Sequence, residues 1–110
     1  MGTVEKRKNE RYPLRQQPSG KLSVKTGSLK YFADYIRDVS SSGISVVMNQ
    51  ALSSMSDVTV EYLAANGHIE IYGKVVWCKP NAPAVRSEND LPAYLLGIEL
   101  LSPMTLFTLL

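Results

Sequence analysis

The chain has 110 residues, of which 45% are hydrophobic and 20% charged, and its net charge is +2. That length holds one domain with one modest core, and the apolar content excludes a chain disordered by composition. A near-neutral balance gives little general pull toward a polyanion, and Cys78, the single cysteine, excludes an intrachain disulfide.

The charge is unevenly spread. Lys6, Arg7, Lys8, Arg11, Arg15 and Lys21 are half of the 12 Lys and Arg, and all lie in the first fifth of the chain. A local basic segment on a near-neutral body suits a small phosphate ligand better than long nucleic acid, which wants a wide basic face. Residues 1–19 show no hydrophobic period and contain Pro13, Gln16, Gln17 and Pro18. They read as a flexible basic arm, ordered only where something holds it, and residues 20–110 as the folded domain. A solvated tail is the plain alternative for the basic run. No apolar run of signal-peptide type opens the chain, and no stretch approaches membrane-spanning length. The expectation is a cytoplasmic protein without membrane insertion, unless the chain is cut from a larger membrane-attached parent.

Lys21 to Thr26 alternates, with Leu22 and Val24 on one face and Lys21, Ser23 and Lys25 on the other. Gly27-Ser28 reads as a turn, and Tyr31 to Arg37 as a second strand. Then comes Asp38-Val39-Ser40-Ser41-Ser42-Gly43, a polar connection in which Gly43 can take positive φ. Ile44 to Met48 is the third strand, with Ile44, Val46 and Met48 inward. Gln50 to Asp57 connects onward, with Leu52 and Met55 as plugs. Val58 to Ala64 and His68 to Trp77 flank Asn66-Gly67, a strong hairpin signal for a type I′ turn. Ile69, Ile71, Gly73, Val75 and Trp77 are expected on one face, with Gly73 marking a bulge or bend. Residues 79–92 form a loop, Tyr94 to Leu101 is the last strand, and Ser102-Pro103 opens a helix carrying Met104, Leu106, Phe107, Leu109 and Leu110. This pattern predicts an all-β fold: a small six-stranded antiparallel β-barrel with a basic N-terminal arm and a short C-terminal helix. The helix is expected on the barrel mouth or on a second subunit.

Taken alone, the Asp38–Gly43 stretch has the composition of an ordinary turn. The basic run Lys6-Arg7-Lys8-Asn9-Glu10-Arg11 gives it a second meaning. Arg7 and Arg11 have three residues between them and are followed by Tyr12-Pro13-Leu14. Arg11 and Arg15 share that spacing, but only the first pair has basic residues before it and an apolar segment after it. Asp38, Ser40 and Gly43 follow the pattern Asp-x-Ser-x-x-Gly. Gly73-Lys74-Val75-Val76-Trp77 and Leu96-Gly97-Ile98-Glu99-Leu100 add weaker agreement. Over nearly its whole length the chain resembles the PilZ domain, a bacterial receptor module for the second messenger cyclic di-GMP.

The resemblance implies that Arg7 and Arg11 clasp guanine and phosphate, that Asp38 and Ser40 read a guanine, and that Gly43 shapes the loop. Lys6 is a further candidate contact. Trp77 is either a stacking surface at the rim or a core residue at a strand end. The chemistry is apt. Guanine O6 and N7 are acceptors that an arginine fork matches, and its N1–H and N2 amine are donors that one carboxylate can accept together. His68 has no evident acid to orient it and reads as an exposed histidine. Cys78 reads as a packing residue. No metal-ligand cluster, cofactor motif or nucleophile elbow is visible, so the expectation is a non-enzyme. Its output would be read by a partner protein or neighbouring domain. Alternatives are a PilZ-like protein–protein adapter that does not bind nucleotide, and a β-barrel for single-stranded nucleic acid, which would want several aromatics along a basic groove.

Overall fold

The computed structural model describes residues 11–14, 16–65, 67–81 and 92–107, with only the backbone of Arg11 and Tyr12. Eight strands and a short helix follow in order. They are β1 (Arg11–Pro13), β2 (Lys21–Thr26), β3 (Leu29–Phe32), β4 (Tyr35–Ser40), β5 (Gly43–Met48), β6 (Asp57–Ala64), β7 (Gly67–Pro80), β8 (Tyr94–Leu100) and α1 (Pro103–Phe107). All pairings are antiparallel, in the spatial order β1-β4-β5-β8-β7-β6-β2-β3.

The expected second strand is two elements. The chain bends at Ala33-Asp34, and its halves join opposite ends of the sheet. The Ala33 N–H donates to the Leu22 carbonyl (2.9 Å) and the Asp34 N–H to the Val47 carbonyl (2.7 Å). The bend thus brings the β2 end of the curled sheet to its β5 end. Counted this way, six strands make the barrel, with β3 and β4 as one bent strand and β1 laid on as an edge. Pro13 is tolerated in β1 because an edge strand needs fewer backbone donors.

One apolar cluster fills the interior. Leu22, Val24, Ile44, Val46, Met48, Val58, Val60 and Tyr62 are all buried in it, as the alternation predicts. The Tyr62 hydroxyl accepts from the Gly20 N–H at 2.9 Å, which supplies the partner a buried phenol requires. Ser102 and Pro103 open α1 as expected, and Leu106 is fully buried against the barrel, a burial worth roughly 2 kcal/mol. Phe107 packs beside it, whereas Met104 faces solvent. Residues 108–110 lie outside the described residues. Among the described residues, no helix is long and apolar enough to cross a membrane.

Four local expectations need correction. Gly67 already pairs with Ala64 as the first residue of β7, so it belongs to the strand rather than to the centre of the turn. Pairing along the whole of β6, not the turn's own preference, sets that register, and Asn66 itself lies outside the described residues. Met55 is no plug: it is exposed, in a left-handed conformation (φ 71°), while Leu52 packs on the core. Gly73 marks no bulge. A Cβ there would lie 2.7 Å from the Glu99 carbonyl, so the glycine serves close strand approach. Finally, Trp77 does not share a face with Val75, for a reason that also builds the candidate site.

Candidate functional site

Two strands each carry one extra residue. On β7 the pairing runs Val75↔Ile98 and then Trp77↔Gly97, so Val76 is the added residue. On β4 it runs Ile36↔Val46 and then Asp38↔Ser45, so Arg37 is the added residue. A β-bulge of this kind reverses which residues of a strand face inward. Before the bulges Ile36 and Val75 face the core. After them Val39 and Cys78 take the inward places, and both pack against the core cluster. Asp38 and Trp77 are thereby turned to the outer face.

The outcome is a row across five strands: Pro13 on β1, Asp38 on β4, Ser45 on β5, Gly97 on β8 and Trp77 on β7. The neighbouring row holds Arg11 opposite Ser40 on β1 and β4, then Gly43 opposite Glu99 on β5 and β8. A cleft of about 80 Å³ lies over these rows, lined by Asp38, Ser40, Ser42, Gly43, Ser45, Trp77, Gly97 and Glu99 among others. It is large enough for part of a ligand, and the rest would lie against the surrounding surface.

The expected six-residue loop is much tighter. Asp38 and Ser40 lie on β4, Gly43 begins β5, and only Ser41 and Ser42 form the turn. The Ser42 N–H donates to Ser40 Oγ (3.3 Å), and Ser40 Oγ lies 3.5 Å from the Gly43 carbonyl. This is the local hydroxyl–backbone bonding that serine brings to turns. Gly43 is a glycine for a reason other than positive φ, which among the described glycines only Gly27 adopts. A Cβ on Gly43 would come within 2.0 Å of the Ile98 carbonyl oxygen, so β5 and β8 could not approach. Asp38 is half-buried and accepts a hydrogen bond from Ser45 Oγ at 2.5 Å.

Trp77 is half-buried at the cleft edge. Its indole lies directly over Gly97, where a Cβ would come 2.3 Å from the ring. The Lys79 ammonium sits 5.4 Å from the ring centroid. Of the expected residues, Asp38, Ser40, Gly43 and Trp77 therefore converge. The backbone of Arg11 runs beside them, and Lys6, Arg7 and the Arg11 side chain lie outside what is described. The arm is fastened just past Arg11. The Leu14 N–H donates to the Arg37 carbonyl (3.2 Å), and the Gln17 amide bonds both the N–H and the carbonyl of Ile36, each at 2.8 Å.

Ser45 and Gly97 are site residues that sequence reasoning passed over. Both left a trace: a hydroxyl within Ile44-Ser45-Val46-Val47, and a glycine within Leu95-Leu96-Gly97-Ile98.

A second polar group lies on the outer surface of β2, β3, β6 and β7. Glu61 accepts from Lys30 (2.6 Å), His68 (2.8 Å) and Ser23 (3.3 Å), and Lys25 pairs with Glu70 (2.5 Å). His68 does have an orienting acid, contrary to expectation. Glu61 and His68 are diagonal neighbours across the β6–β7 ladder, a relation that only the register reveals. The hydrogen bond from Lys30, then that from His68, holds the Glu61 carboxyl down at about 2. Ligand atoms of Glu61, His68 and Glu70 lie within 4.8 Å of one another. Each acid already has a lysine partner, which opposes a divalent cation there.

The PilZ domain family matches residues 5–101 of the chain. Among solved structures, the PilZ domain of Escherichia coli YcgR, solved with cyclic di-GMP, is similar with a TM-score of 0.63 at 15% identity, over 96% of this chain and 86% of that one. No curated protein matches the sequence. Since the family match spans nearly the whole barrel and the fold agrees with it, this chain is a member of the PilZ family.

Proposed function

We propose that this chain is a receptor for cyclic di-GMP, held between the basic segment at Arg7 and Arg11 and the outer face of β4, β5, β8 and β7. The observation that carries the reading is the convergence of Asp38, Ser40, Gly43 and Trp77 on one cleft, with the Arg11 backbone directly opposite Ser40. The similarity to a PilZ domain solved with cyclic di-GMP supports the choice of ligand.

In this reading the Asp38 carboxylate accepts the N1–H and N2 amine of a guanine, a donor pair that adenine lacks. Ser40 donates to phosphate or accepts from the base amine. Trp77 offers its ring at the rim, where base–aromatic stacking is worth about 1–3 kcal/mol. Arg7 and Arg11 supply guanidinium forks for guanine O6 and N7 and for phosphate oxygens, and Lys6 adds charge. Nothing in this chemistry makes or breaks a bond, so the chain acts as a sensor rather than an enzyme. Its message is the new surface formed when ligand draws the arm against the barrel, read by a partner protein or neighbouring domain.

Calorimetric titration with cyclic di-GMP, GTP and a single-stranded oligonucleotide at two salt concentrations tests this. Saturable, stoichiometric binding of cyclic di-GMP alone is expected. Binding of the oligonucleotide with a steep salt dependence would favour a nucleic-acid role instead. No binding of any nucleotide would leave an adapter.

A further inference from the structure

We propose that Ser45 is a positioning residue that fixes the Asp38 carboxylate for guanine; the inference rests on the reading of the cleft given above. Ser45 lies opposite Asp38 in the β4–β5 ladder and is only 2% exposed. Its neighbours along the row are Asp38 on β4 and Gly97 on β8, while Ile44 and Val46 on either side of it point into the core. A hydroxyl this buried needs a partner, and its partner is Asp38 Oδ1, at 2.5 Å. That length is typical of a hydroxyl donating to an ionised carboxylate, which is among the stronger neutral-to-charged hydrogen bonds.

The geometry matters because of what a carboxylate must do to read guanine. Two parallel donors on one base edge require both carboxylate oxygens in the plane of the base. The last side-chain torsion of aspartate is broad and turns easily in the absence of a constraint. Ser45 supplies the constraint from the neighbouring strand. It holds Oδ1 from the side of the strand, while the carboxylate retains acceptor capacity on both oxygens for the cleft. The bulge at Arg37 is what makes this possible, since it brings Asp38 rather than Arg37 opposite Ser45. Without the hydroxyl the carboxylate swings, meets the two guanine donors less often, and still serves any single donor. Ser45 therefore governs discrimination between guanine and adenine through Asp38.

The test is a double-mutant cycle of Ser45→Ala and Asp38→Ala, read by calorimetric titration with cyclic di-GMP and cyclic di-AMP. Ser45→Ala is expected to weaken cyclic di-GMP about tenfold, the worth of one well-placed hydrogen bond to a charged group. Cyclic di-AMP affinity should stay where it is. In the Asp38→Ala background, Ser45→Ala should change nothing further. Ser45→Cys, close in volume and a weak donor, should fall in the same direction and serves if the alanine variant unfolds. Equal losses for both nucleotides, or an undiminished Ser45 effect without Asp38, would make Ser45 merely structural and overturn the proposal. A wild-type chain that binds, with Ser45→Ala binding equally well, overturns the role of Ser45 alone. A wild-type chain that ignores cyclic di-GMP overturns the reading of the cleft, and this inference with it.

Discussion

An alanine at Gly97 would set its methyl 2.3 Å from the indole of Trp77, a distance the ring must escape. Gly97→Ala should displace the tryptophan and cost about 1–3 kcal/mol, as overpacking does. The readouts are tryptophan emission and thermal midpoint, and unchanged emission would show that the ring does not rest there. Asp38→Ala should weaken cyclic di-GMP by about 1–3 kcal/mol, the worth of a bidentate base contact. It should spare cyclic di-AMP, and equal losses would mean that Asp38 only holds the strand. Glu61 makes a different prediction. Its carboxyl sits at about 2 in the folded chain against an ordinary value of 4.5. A group depressed on folding stabilises the protein above its unfolded value, and the stabilisation is lost as pH falls through the folded one. Between about pH 4.5 and 2, the wild type should therefore lose thermal stability faster than Glu61→Gln, and the gap between them should close. Parallel curves would remove Glu61 from the acid response.

Among the elements, β1 and the residues behind it show how an arm with no core of its own is fastened. The Gln17 amide takes both backbone groups of Ile36, the residue that precedes the β4 bulge. Gln17→Ala removes two hydrogen bonds, each worth about 1 kcal/mol. It should speed exchange of the Ile36 amide and weaken ligand binding without touching the cleft, and unchanged exchange at Ile36 would discount the clip. The strands themselves were largely legible in the sequence, because alternation at Leu22-Val24, Ile44-Val46-Met48 and Val58-Val60-Tyr62 is a direct imprint of a buried face. Asp38, Ser40 and Gly43 were legible as a motif. The bulges were not. Arg37 and Val76 are ordinary strand residues, and an added residue leaves no mark in composition, so Trp77 was assigned the wrong face. The role of Gly43 was hidden for a related reason: its constraint is the Ile98 carbonyl on a strand more than fifty positions away.

At the scale of the whole molecule, the candidate site and the closure of the barrel share one length of chain. The strand that bends at Ala33-Asp34 to bring the sheet ends together goes on to carry Asp38 and Ser40. Amide hydrogen exchange should report this. The Leu14 amide, already bonded to Arg37, should be protected without ligand, and cyclic di-GMP should extend protection to residues 5–10. That extension should vanish in Arg7→Ala. Protection of residues 5–10 that is the same with and without ligand would leave a preformed site with no moving arm. The two bulges carry one more consequence. What points into the cleft is decided by counting along β4 and β7 as much as by chemistry. Losing the codon for Val76, which itself lines the cleft, would set Trp77 directly after Val75 in an unbulged strand. Alternation would then still turn the tryptophan out, opposite Gly97, and Cys78 in toward the core. The added residues at Arg37 and Val76 are thus positions that these strands can lose in an in-frame deletion while Asp38 and Trp77 keep their outward faces.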